Sequence, residues 1–102
     1  MKKLFIITIK EQKGYQMPMG IHAVTEFLMH SKKARKWYKK SNTVVCLSVL
    51  RNEFEYFKTE LQKVSKVFVF KEPDLQNMET AFCFLSNKHT IQITKILPLA
   101  LK

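Results

Sequence analysis

Histidine is the side chain whose ordinary titration falls near neutral pH, which makes His22 the first residue to test for chemistry. It stands in KGYQMPMGIHAV, residues 13–24, where two glycines and a proline separate an apolar run from an amphipathic one. Pro18 suits the opening of a helix, and this puts His22 in the first turn, where the helix dipole disfavours an imidazolium. A neutral ring there accepts a proton or orients a water. The same position also serves a histidine that packs its ring and bonds a neighbouring backbone group. His30 and His89 are scattered, and the acidic cluster is Glu72, Asp74 and Glu79, so metal-ligand spacing is absent and no metal is expected. With two glycines in the chain, the phosphate-cradling fingerprints are excluded; HExxH, a nucleophile elbow and CxxC are likewise missing, and no cofactor is expected. Cys46 and Cys83 lie inside apolar, strand-like runs and read as buried free thiols of a reducing compartment, with a cross-strand disulfide as the alternative.

Charge gives a second kind of chemistry. The 102 residues carry 18 Lys+Arg against 8 Asp+Glu, a formal +10, which favours polyanionic partners, nucleic acid first among them. SKKARKWYKK, residues 31–40, concentrates six basic residues, Lys32, Lys33, Arg35, Lys36, Lys39 and Lys40, around Trp37 and Tyr38. It reads either as a nucleic-acid-binding segment whose rings stack on an unpaired base, or as a solvated helix face whose tryptophan covers the core.

The elements that must position these residues follow from apolar periodicity. A chain of this length is one domain with a single core, and 46% hydrophobic and 25% charged residues describe a folded one. LFIITI, residues 4–9, is a β-branched run suited to a strand buried on both faces. A helix is expected over about 18–30 from Ile21, Val24, Phe27 and Leu28, continued or followed by the basic segment. NTVVCLSVL, residues 42–50, is a second strand. RNEFEYFKTELQKVSK opens with the capping-box spacing Asn52/Glu55 and puts Phe54, Phe57, Leu61 and Val64 on one stripe of a helix over 51–65. VFVF (67–70) and TAFCFL (80–85) are two further strands, antiparallel across the polar loop 71–79. The tail gives mixed signals: Ile91, Ile93, Ile96 and Leu97 could line a short helix, which Pro98 must end or kink. The order βαβαββ describes an α/β layered domain with a mixed four-stranded sheet flanked by helices, and ligands of such sheets gather at the carboxyl ends of the parallel strands. Residues 10–22 and the loop after the second strand are therefore the expected site. The opening MKKLFIITIKEQ has no cleavage site and no apolar run approaches a bilayer span, so a cytoplasmic chain with no membrane partner is expected.

Lys13-Gly14, seven residues, then His22-Ala23 after a buried strand resembles the KGKxAAQxxHA region of the type 2 peptidyl-tRNA hydrolase family. Trp37, the strand NTVVCLSV with the helix after it, VFVFKEPDLQNMETAFCFL, and the closing ITKILPL, similar to the family's VTGHLKL, extend the likeness over the whole chain. The resemblance implies the type 2 peptidyl-tRNA hydrolase fold, ester hydrolysis on peptidyl-tRNA, tRNA as partner, and pairing into a homodimer. It places His22 at the family histidine, Gly14 at its glycine and Glu72 at its catalytic aspartate. Tyr15 falls at the active-site lysine, Met19 at the glutamine, Gln76 at the first loop threonine, and Thr80 at the later threonine pair. Lys13 matches the preceding lysine.

Those departures bear on mechanism. Ester hydrolysis needs a base to activate water and a donor or cation for the oxyanion. His22 with Glu72 supplies base and orienter, but Tyr15 brings no charge unless Lys13 or Lys71 replaces it. Losing one such donor costs about 100- to 1000-fold in rate. The expectation is weak hydrolysis or none, with RNA binding preserved. The alternative is a non-catalytic module or inhibitor engaging nucleic acid or an acidic protein partner through the basic surface.

Overall fold

Six consecutive buried residues, Leu4–Ile9, form the strand β1 at the centre of the molecule. The computed structural model describes residues 2–101. β1 pairs in parallel with β2 (Val44–Val49) and antiparallel with β4 (Met78–Leu85), while β4 pairs antiparallel with β3 (Phe68–Glu72). The sheet order is β2-β1-β4-β3. β3 thus runs the same way as β1 and β2, so the expected mixed four-stranded sheet has three parallel members and one reversed strand.

Side chains alternate across a strand, and β1 therefore feeds both faces. Leu4 and Ile6 pack under α1 (Gln16–His30) and α2 (Lys32–Lys40) with Ala23, Phe27, Ala34, Trp37 and Cys83. Phe5, Ile7 and Ile9 pack on the other face with Phe54, Phe57 and Leu61 of α3 (Phe54–Gln62), joined by Ile93 from α4 (Lys88–Thr94). The sheet divides the expected single core into two layers. Each fully buried large apolar side chain, such as Phe54, Phe82 or Phe84, contributes roughly 1.5–3 kcal/mol. Gly20 lets α1 lie close over β1, since a methyl group there would meet Ile6 Cγ2 at 3.3 Å.

Several boundaries differ from the sequence reading. The basic segment is a helix of its own, because Ser31 leaves helical geometry and its hydroxyl accepts from the Ala34 N–H, 3.1 Å, as an N-cap. The expected Asn52/Glu55 capping box is absent: Glu53 Oε1 accepts from the Leu50 N–H at 2.9 Å, and a 3₁₀ turn, Arg51–Glu53, leads into α3. That helix ends at Gln62, short of residue 65. Both strands around the 71–79 loop are longer than their apolar runs, because backbone pairing of Lys71 with Glu79 and Glu72 with Met78 continues past the last hydrophobic residue. The tail does form a helix, but it ends at Thr94, so Ile96 and Leu97 lie in the turn that follows and not in the helix; Ile91 and Ile96 face solvent, and Thr90, Ile93, Thr94 and Leu97 turn inward. Beyond it Pro98–Ala100 runs along the outer edge of β2, with Ser48 N–H donating to the Pro98 carbonyl and Ala100 N–H to the Cys46 carbonyl.

Cys46 and Cys83 are free. Both pair with Ile6 of β1, from opposite sides, so they stand about two strand spacings, roughly 9–10 Å, apart, beyond the reach of a disulfide. No helix among the described residues is long and apolar enough to cross a membrane.

Candidate functional site

α1 starts at Gln16, two residues before Pro18, so His22 lies in the second turn and not the first. Proline is accommodated as the third helical residue because the first four N–H groups of a helix have no intrahelical partner. Gln16, 3% exposed, sets this start: the Thr8 hydroxyl donates to Gln16 Oε1 at 2.9 Å, and Gln16 Nε2 donates to the Lys13 carbonyl at 3.0 Å. The dipole at His22 is correspondingly weaker than expected.

The exposed imidazole of His22 lies flat over Phe70 of β3, ring centroids 5.1 Å apart and planes 20° apart. Glu72 is two residues further along β3, hence on the same face and one pleat repeat away, about 6.7 Å. Its buried side chain accepts from the Asp74 N–H at 3.2 Å and so starts the turn Pro73–Leu75. No hydrogen bond joins His22 to Glu72. Stacking on Phe70 takes the place of the carboxylate contact that a base and its orienter require.

Thr80 reaches this face through an irregularity. Phe70 pairs with Ala81 but Lys71 with Glu79, leaving Thr80 as the extra residue of a β-bulge in β4. Glu79 points toward α3, where it bonds Lys58 at 2.5 Å, while Thr80 turns toward α1 and donates its hydroxyl to the Met19 sulfur at 3.2 Å. Both Thr80 and Met19 are buried. The structure therefore assembles Met19, His22, Phe70, Glu72 and Thr80 into one patch, with the threonine hydroxyl engaged by a thioether.

Lys13 and Tyr15 stand apart. They lie on the 3₁₀ turn Lys10–Tyr15, both exposed, with no side-chain hydrogen bond to His22, Glu72 or Thr80. Lys13 adopts φ 51, ψ −125, a conformation that favours glycine, while Gly14 beside it does not have positive φ. This turn and the Arg51–Glu53 turn are tied at the carboxyl ends of β1 and β2, where sequence placed the site: Arg51 N–H donates to Glu11 Oε1 at 2.9 Å. Arg51 Nη1 also reaches the Glu79 carbonyl, 2.9 Å, just before the bulge.

The expected nucleic-acid contacts divide by position around α2. At about 100° per residue, Lys32, Lys33, Lys36, Lys39 and Lys40 fall within roughly 120° of the helix circumference. All five are exposed, and none takes part in an ion pair among the described residues. Arg35 lies off this arc, and its guanidinium donates to the Leu28 and Met29 carbonyls at 2.8 and 3.3 Å, closing the last turn of α1. Trp37 is 5% exposed and packs in the core, so it offers no face to a base; its indole N–H is buried with no partner. Tyr38 is exposed but lies on the far side from the lysines.

Burial pushes the Cys46 thiol up, opposed by its hydrogen bond with Thr8, and pushes the Cys83 thiol up further. Neither is a nucleophile at neutral pH. Among the described residues no group of three or more His, Cys, Asp or Glu side chains is placed to hold a metal ion. Sequence reasoning missed the Gln16–Thr8 anchor and the bulge. Gln16 is one polar residue in a polar run, and E-T-A-F-C-F-L shows no break in alternation.

No protein-family model matches the chain, and no curated protein matches it. Among solved structures, it is similar to a protein of unknown function from Agrobacterium tumefaciens strain C58, with a TM-score of 0.61 and 13% sequence identity over 96% of each chain. That likeness is one of fold.

Proposed function

We propose that this domain is an RNA-binding protein with a type 2 peptidyl-tRNA hydrolase-like fold and a hydrolytic centre that has lost its working contacts. The observation that carries the reading is the lysine arc of α2. Five like charges at i, i+3 and i+4 spacing repel one another, each such pair costing about 0.2–0.5 kcal/mol, and no carboxylate relieves them. Lys32 and Lys33 add to this by opposing the dipole at the helix start. A phosphate backbone supplies the missing negative charge. With Trp37 buried and Tyr38 turned away, contact is with phosphates and not bases, and the binding is tolerant of sequence.

Weak or absent hydrolysis fits the patch on α1 and β3: His22 rests on an aromatic ring, the Glu72 carboxylate bonds a backbone N–H, and Thr80 donates to Met19. The test is a hydrolysis assay on defined peptidyl-tRNA beside a tRNA titration on the same preparation. Turnover at the buffer rate with salt-sensitive binding is expected. Wild-type turnover above buffer that disappears in His22→Ala would return the chain to the enzymes. Absence of both turnover and tRNA binding would leave an acidic protein as the partner to test.

A further inference from the structure

At the end of the sheet opposite the expected site, where β1 begins and β4 finishes, lies a half-open cavity of about 520 Å³. Its size falls in the range of small-molecule sites, about 300–1,000 Å³. Phe27, Trp37 and Leu85 form its floor. Lys33, Lys36 and Lys40 stand on one side, and Lys2 and Lys66 stand on another. Lysine stems are themselves apolar, so they extend the greasy wall, while their ammonium groups seek water; that of Lys2 also donates to the Ser86 carbonyl at 3.2 Å.

Apart from the Trp37 indole N–H, which has no partner, the neutral polar side chains around the cavity are already engaged. Ser41 donates to the Lys2 carbonyl, Ser65 to the Leu85 carbonyl, and Asn87 Nδ2 to the Val64 carbonyl. Asn87 Oδ1 accepts from two N–H groups of its own helix. A ligand carrying several polar edges on the floor, such as a nucleobase, would lose its water there and meet one free donor, the Trp37 indole N–H, at about 1–3 kcal/mol for each group left unpaired. An alkyl chain has no such loss. The five lysines make no ion pair among the described residues and call for an anionic head.

We infer that this cavity is a binding site for an anionic amphiphile: a medium-length alkyl chain on the floor, with a carboxylate or phosphate head among the lysines. The cavity does not depend on the RNA reading, although RNA would compete with its ligand for Lys33, Lys36 and Lys40. A second cavity, of about 420 Å³ between α1 and the outer edge of β2, is lined by Ile6, Met17, Ile21 and Val24 with no charged side chain. It has no means of selecting an anion, so charge separates the two.

Trp37 is the one tryptophan of the chain and lines the cavity, which gives a local reporter. Hexanoate, octanoate and decanoate, with decyl phosphate for the other head group, are titrated below their micelle concentrations by calorimetry. Acetate and inorganic phosphate are the head-only controls. Affinity is expected to rise about two- to fourfold for each added methylene until the floor is covered, from about 0.8 kcal/mol per buried methylene. Brominated decanoate should quench Trp37 saturably. Lys33→Gln/Lys36→Gln/Lys40→Gln, all surface changes, should weaken decanoate at least fivefold. Equal affinity across chain lengths, chain-length dependence without Trp37 quenching, or equal binding of a decyl cation would each overturn the proposal. Decyl phosphate binding without decanoate would restrict the site to phosphate heads, and the reverse to carboxylates.

Discussion

Arg35 and Lys36 are adjacent basic residues on one helix, and they should fail in different assays. Lys36 sits in the middle of the lysine arc, whereas Arg35 holds the Leu28 and Met29 carbonyls. If all five lysines of the arc meet phosphates, log K against log salt should fall with a slope of about −3.5 for single-stranded RNA, or about −4.5 at the coefficient for a B-form duplex. Raising salt from about 50 to 200 mM then weakens binding about 100- to 500-fold. Lys36→Gln should reduce the slope by about 0.7–0.9 and, by removing four like-charge pairs at i±3 and i±4, raise stability by about 0.8–2 kcal/mol. Arg35→Gln should leave the slope unchanged and cost about 0.5–1 kcal/mol by exposing the carbonyl end of α1, a fall in Tm of about 2–8 °C. Fluorescence anisotropy with labelled tRNA across a salt series and thermal unfolding of the same three proteins provide both readings. Equal changes of slope for the two variants would refute the division of α2 into a phosphate face and a structural residue.

Other outcomes follow from local geometry. Lys13→Gly places glycine where the backbone has φ 51, and the strain released, about 1–3 kcal/mol, exceeds the entropy that glycine adds to the unfolded chain; urea unfolding should show a gain of about 1 kcal/mol. Gly20→Leu forces α1 off Ile6 and should cost about 1–3 kcal/mol in the same assay. Raised thiol pKa values mean less thiolate at any given pH, so at pH 8 both cysteines should label with iodoacetamide far more slowly in the native protein than in denaturant. Half-buried Cys46 should react before Cys83, and the reverse order would contradict the burial of β4.

The strands and helices were legible wherever one physical signal dominated. LFIITI has no polar position, and only a strand covered on both faces buries such a run, which is what β1 does. Phe54, Phe57 and Leu61 repeat at helical spacing and face one layer. What sequence left out depends on partners distant along the chain. Glu72 belongs to a strand because Met78 pairs with it, although neither its own propensity nor its charge favours one. The direction of Thr80 depends on a bulge, and one inserted residue exchanges the faces of a strand without altering its composition. Ser31 caps α2 from within a strongly basic run, where the charge pattern gives no sign of a helix boundary. For the site, spacing brought His22 and Glu72 to one face but gave no account of Phe70, whose ring lies under the imidazole.

The segment Pro98–Ala100 has a consequence for assembly. Its bonds to Cys46 and Ser48 occupy outward-facing backbone groups of β2, whereas β3, with Phe68, Val69 and Phe70, has no strand on its outer side among the described residues. Open borders on both sides of a sheet would let copies add without end, whereas a single open border limits strand addition to one partner. Strand addition through β3 would join two copies across a twofold axis into eight strands, each outer border closed by its own Pro98–Ala100, and growth would stop at two.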